Sequence, residues 1–111
     1  MWLGLSFVQT FIDLQGASGA IYRFRLAPDG QVTSPIAGNY VCVREEQEGF
    51  TVLSVGATHD LSTATASWRR AKAKHPAAHL YTRLNVSASV REEEQQDVAA
   101  FYKVRHGRQT A

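Results

Sequence analysis

Hydrophobic and polar positions alternate over two early stretches, LSFVQTFIDL and AIYRFRLA, both rich in aromatic and branched residues and joined by QGASG. Period two with a glycine-bearing connection predicts an antiparallel hairpin. In the second stretch Tyr22, Phe24 and Leu26 share one face, and Arg23 and Arg25 the other. APDG then presets a turn, and QVTSPIAG reads as an irregular link. NYVCVRE and FTVLSVG flank EQEG and predict a second hairpin. From Asp60 or Ser62 the period lengthens: Leu61, Ala64, Thr65, Trp68, Ala71 and His75 form a helical stripe, with Asp60 as N-cap and Pro76 as stop. HLYTRLNVS alternates again, setting Leu80, Thr82 and Leu84 against Tyr81, Arg83 and Asn85. A last helix follows, with Ser89 and Glu92 as a capping box and Val90, Glu94, Val98 and Phe101 on one face. Glu94 is the carboxylate on that apolar stripe, and it requires a cationic partner, a metal or water.

The order is therefore ββ followed by ββαβα. It predicts an α+β fold, with a small antiparallel or mixed sheet and two flanking helices preceded by an N-terminal hairpin. A length of 111 residues fits one domain. Hydrophobic residues at 44% and charged residues at 20% exclude a disordered or fibrous chain. Net charge is only +2, so its distribution matters more than its sum. Arg69, Arg70, Lys72 and Lys74 are bunched in RRAKAK, off the apolar stripe, and Lys103, Arg105 and Arg108 make residues 103–111 a basic tail. Cys42 is the sole cysteine, which excludes an intramolecular disulfide and a thiolate zinc cluster; within YVCV it reads as a buried, inert thiol. The start has no positive n-region, and no stretch approaches the roughly 20 apolar residues of a membrane span. A soluble, cytoplasmic protein with no membrane partner is the expectation.

Residues 37–102 resemble the GIY-YIG endonuclease superfamily. Gly38-Asn39-Tyr40 opens one strand and Ser54-Val55-Gly56 closes the next; a turn, a helix, a strand and the helix bearing REEEQQDV follow. In that family two strand tripeptides supply tyrosines that position or deprotonate water, a helix arginine stabilises the phosphate, and a glutamate on a later helix holds Mg²⁺. Phosphodiester hydrolysis needs those three services. By the resemblance, Tyr40 matches the first tyrosine, Gly38 and Gly56 the two glycines, and Glu94 the metal-binding glutamate. Ser54 stands where the second tyrosine would be, and Ala64, eight residues past Gly56, where the arginine would be. The asparagine and proline that often follow the last helix are missing from VRHGRQTA. The resemblance also implies that Tyr40, Ser54, Ala64 and Glu94 converge on one open cleft.

Losing one preorganised charge stabiliser lowers rates about 10²- to 10³-fold, so the expected function is a nuclease-impaired domain that still binds nucleic acid through Arg69, Arg70, Lys72 and Lys74. One alternative is an active Mg²⁺-dependent endonuclease with a rearranged site built on Tyr40, Glu94 and His59. Another is a protein-interaction or homo-oligomeric scaffold using the N-terminal hairpin, with Trp2, Phe7 and Phe11 as its apolar surface. Each assignment has a structural counterpart. Tyr40 fits a half-buried strand position, Glu94 fits an ion pair with Arg83 or Arg91, Gly56 fits a strand-to-helix turn, and Trp68 fits a core anchor. His75, His79 and His106 lack zinc-ligand spacing.

Overall fold

The computed structural model of the protein describes residues 8–104, so the expectations for Trp2, Phe7, Arg105, His106 and Arg108 lie outside the described residues. The first alternating stretches form β1 (Phe11–Gln15) and β2 (Ile21–Ala27), an antiparallel hairpin in register from Phe11 opposite Arg25 to Gln15 opposite Ile21. Gly19 sits at φ +94 in its loop, where a side chain would be strained. The second hairpin is β3 (Gly38–Glu46) with β4 (Gly49–Thr58); Glu46 pairs with Gly49, leaving Gln47 and Glu48 as the turn. α1 (Ala64–Lys74), β5 (Ala78–Leu84) and α2 (Ala88–Tyr102) complete the described elements.

All five strands join one antiparallel sheet in the order β1-β2-β5-β3-β4, confirming the α+β expectation. β5 lies between β2 and β3 and stitches the N-terminal hairpin to the rest through Arg25–Thr82, Leu26–Tyr81 and Ala27–Leu80 pairs. Alternation along each strand sends two different sets of side chains to the two faces, and each face is packed by one helix. On the α2 face, Ile12, Leu14, Phe24, Val41, Val43, Val52, Val55 and Tyr81 pack with Val98 and Ala99 of the helix. On the α1 face, Ala27, Tyr40, Cys42 and Leu80 pack with Leu61 and Ala64. A bulge lets both faces keep their apolar residues: Cys42 pairs with Ser54 but Val43 with Val52, so Leu53 is the extra residue.

Local capping departs from the sequence expectation at both helices: α1 follows Thr63, which makes no side-chain cap bond, and Asp60 caps the turn before it. Asp60 Oδ1 accepts from the Ser62 N–H and starts a 3-10 turn, Leu61–Thr63, that leads into α1. α2 is capped two residues earlier than Ser89 predicts. Ser87 is its N-cap, and its hydroxyl accepts from the Val90 N–H at 3.4 Å. The buried stripe is Gln95, Val98 and Ala99, while Val90 and Phe101 are exposed. Spacings of three and four turn those positions inward; of the predicted stripe, Val98 is buried and Glu94 part-buried as expected, while its two ends face solvent.

Candidate functional site

The two tripeptides meet. Tyr40 pairs with Gly56 across β3 and β4, and its ring lies where a Cβ on Gly56 would have to stand. Gly56 thus serves a close approach within the sheet, since the strand runs on to Thr58 before the turn. Gly38 is equally constrained by the Arg83 carbonyl oxygen of β5. Above the tyrosine lies α1: the Tyr40 hydroxyl and Ser67 Oγ share a hydrogen bond of 3.3 Å, and Ala64 is fully buried. Tyr40 itself is only 5% exposed. The Ser54 hydroxyl bonds to Cys42, whose thiol is pushed up chiefly by burial, so it stays protonated and unreactive at neutral pH.

Glu94 belongs to the other face. Its Oε1 accepts from Arg83 Nε at 2.9 Å and from Asn85 Nδ2 at 3.0 Å. Asn85 also donates to Asn39 Oδ1, and the buried Asn39 amide donates to the Arg91 carbonyl oxygen at 2.9 Å. This chain ties α2 to the ends of β3 and β5. Tyr40, Ser54 and Ala64 therefore gather under α1, the sheet separates them from Glu94, and the four positions do not form one cleft. A Mg²⁺ ion is a poor fit at Glu94, because its neighbours are a guanidinium and amide N–H groups rather than further oxygen ligands. Among the described residues, no three His, Cys, Asp or Glu side chains gather as a metal site. Of the two ion pairs open to Glu94, Arg83 is the one formed.

Asp97, one turn beyond Glu94, clasps the first hairpin. Its carboxylate accepts from the Ser18 N–H, the Ser18 hydroxyl at 2.6 Å and the Tyr22 hydroxyl at 2.7 Å. The Ser18 hydroxyl, the Tyr22 hydroxyl and the Ser18 N–H hold its pKa below the ordinary value. His59 is exposed at the turn after β4.

Arg69, Arg70, Lys72 and Lys74 are all exposed on the outer side of α1. Lys72 lies over the Trp68 ring at 4.9 Å, and Arg70 donates to Ser67 Oγ at 3.2 Å. Trp68 is half-buried, donates to the Ala78 carbonyl oxygen at 3.0 Å and packs on Gly30, so it anchors the helix as the sequence predicts. No helix among the described residues is long and apolar enough to cross a membrane.

The fold also builds a second surface, which the sequence pattern does not single out. A groove of about 440 Å³ runs over the α1-side face of β1, β2 and β5, lined by Phe11, Arg23, Arg25, Val32, Thr82 and Leu84 among others. Its signal in the sequence is the Arg23/Arg25 alternation, but that pattern alone also describes a solvated strand face. Comparison with protein-family models, with curated proteins and with solved structures finds no match.

Proposed function

We propose that this chain is a nuclease-impaired, GIY-YIG-like domain that binds nucleic acid without cutting it, in a cytoplasmic setting, with the outer side of α1 as the contact. The observation that carries the reading is the division of labour on α1. Its inner side closes over Tyr40 and seats Ala64 in the core, while its outer side presents four exposed cations. The pairing of Tyr40 with Gly56 supports the family relation, and the sheet between Tyr40 and Glu94 counts against it; Ser54 and Ala64, at the positions of the second tyrosine and the arginine, support the loss of hydrolysis. Exposed Lys and Arg bind phosphates by releasing counterions, which needs no reacting geometry.

Titration of a labelled duplex over a range of salt concentrations tests this. Replacing Arg69, Arg70, Lys72 and Lys74 together by Ala is expected to flatten the plot of log K against log salt by about 0.9 for each phosphate no longer neutralised. Binding that survives the fourfold change would reject the α1 interface. The active-nuclease reading is checked in parallel by incubating plasmid, single-stranded DNA and RNA with Mg²⁺ or Mn²⁺. Cleavage that Glu94→Ala abolishes would favour it; no cleavage is expected. A scaffold role has one supporting observation, the position of β1 at the sheet edge beside exposed Phe11 and Ile21. A concentration-dependent molar mass would support pairing there.

A further inference from the structure

The groove over β1, β2 and β5 combines features that a merely solvated strand face does not need. Arg23 and Arg25 project from alternate positions of β2, so their stems stand roughly 7 Å apart along the strand. Arg23 is held by Asp13 at 2.9 Å, and its guanidinium lies over the Phe11 ring at 5.6 Å. The Arg25 side chain makes no hydrogen bond or ion pair with the described residues, so among them it is an unpaired cation in the same groove. Phe11 is 46% exposed although it is a large aromatic on a strand. Thr82 follows on β5, directly opposite Arg25, and Thr33 and Ser34 of the link before β3 form a polar wall.

An exposed ring flanked by guanidinium groups on an open sheet is the combination that holds unpaired bases: the ring offers a stacking face to any base, and the cations follow the backbone. A volume of about 440 Å³ is of the size that holds a small ligand such as one or two nucleotides. α1 sits over β3 and β5, so among the described residues no helix covers the β1–β2 side of this face.

We infer that this groove is a single-strand track, in which Phe11 stacks on a base and Arg25, with Arg23, contacts the flanking phosphates. The inference rests on the nucleic-acid reading above but assigns it a second surface and a preference for single strands.

The experiment compares a fluorescein-labelled 12-nucleotide oligo-dT with a duplex of the same length, using the full chain. Phe11→Ala and Arg25→Ala are both at exposed positions and are expected to keep the wild-type melting curve. Phe11→Ala is expected to weaken oligo-dT binding roughly 5- to 150-fold, the range that one stacked base supplies, and Arg25→Ala to weaken it and flatten its salt dependence by about 0.7 for the phosphate no longer neutralised, both leaving duplex binding unchanged. Amide shifts during an oligo-dT titration should centre on Phe11, Arg25 and Thr82. If both variants hold oligo-dT as tightly as wild type, with shifts confined to α1, the groove is rejected while nucleic-acid binding stands. If wild type binds neither oligonucleotide at low salt, the underlying reading falls as well. Equal displacement of oligo-dT by polyglutamate would mark the groove as a general anion site and also overturn the inference.

Discussion

At the residue scale, single side chains hold close approaches that the sequence displays only as letters. Gly56→Ala would drive a methyl into the Tyr40 ring, and overpacking of this kind costs about 1–3 kcal/mol; urea denaturation measures it, and pairing the change with Tyr40→Leu should recover part of the loss. Glu94→Ala is expected to destabilise by about 1–3 kcal/mol, because Arg83 and Asn85 lose their acceptor in a part-buried setting; a stability unchanged by the substitution would deny it this structural role. The Asp97 clasp gives a pH dependence. Its carboxyl is lowered in the folded state, so its contribution is complete above the ordinary value of 3.8 and is lost as pH falls through the lowered one. Tyr22 is raised, mainly by burial and then by Asp97, so its share holds below the ordinary value of 10.0 and is lost as pH rises through the raised one. Asp97→Asn should reduce the acid-side slope of melting temperature against pH between about pH 2 and 5, with Asp13, Glu46 and Asp60, whose carboxyls are also lowered, keeping the rest. The sequence marks Glu94 as an inward carboxylate needing a partner, and that much is legible. Which partner it takes depends on β5 lying beside β3, a long-range pairing that no local pattern encodes.

Elements are the most legible level, because alternation and helical spacing are properties of short windows. Both hairpins, both helices and the fifth strand are readable from period, turn residues and breakers. What local pattern does not fix is phase, as the start of α2 demonstrates. Ser87 and Ser89 are both good caps, and their choice is decided by which helix face meets Val55 and the rest of the α2-side core. Ser87→Ala is therefore expected to lower stability by about 0.5–2 kcal/mol, with Ser89→Ala close to neutral; thermal melts of the two variants measure this directly. Had the helix started at Ser89, the ranking would reverse. At α1 the element scale also explains how basic residues and a sealed interior coexist. An 11-residue helix on a sheet has one side for Ala64, Trp68 and Ala71 and another for Arg69, Arg70, Lys72 and Lys74, so exchanging the cations should alter binding with little change in melting.

At the scale of the whole molecule, the N-terminal hairpin is part of the sheet. Ile12, Leu14 and Phe24 sit in the main core, β2 covers the flank of β5, and α2 reaches the hairpin through Asp97. A chain trimmed to residues 37–104 would bare that core and an open β5 edge, and is expected to bind hydrophobic dyes and lose a cooperative melt. The sequence shows the hairpin but leaves its place open, because the β2–β5 pairing joins residues more than 50 positions apart. The two helical layers are also unequal. α2 closes the larger apolar cluster, whereas α1 covers a smaller one built around Tyr40, Cys42 and Leu80. Layers with less buried apolar surface open at lower free energy, so α1 amides should exchange with deuterium before those of α2. Cys42, fully buried beneath that thinner lid and the only thiol in the chain, then acts as a clock. Its rate of reaction with a thiol reagent counts the moments when α1 lifts, and Trp68→Ala should quicken it well before the protein unfolds.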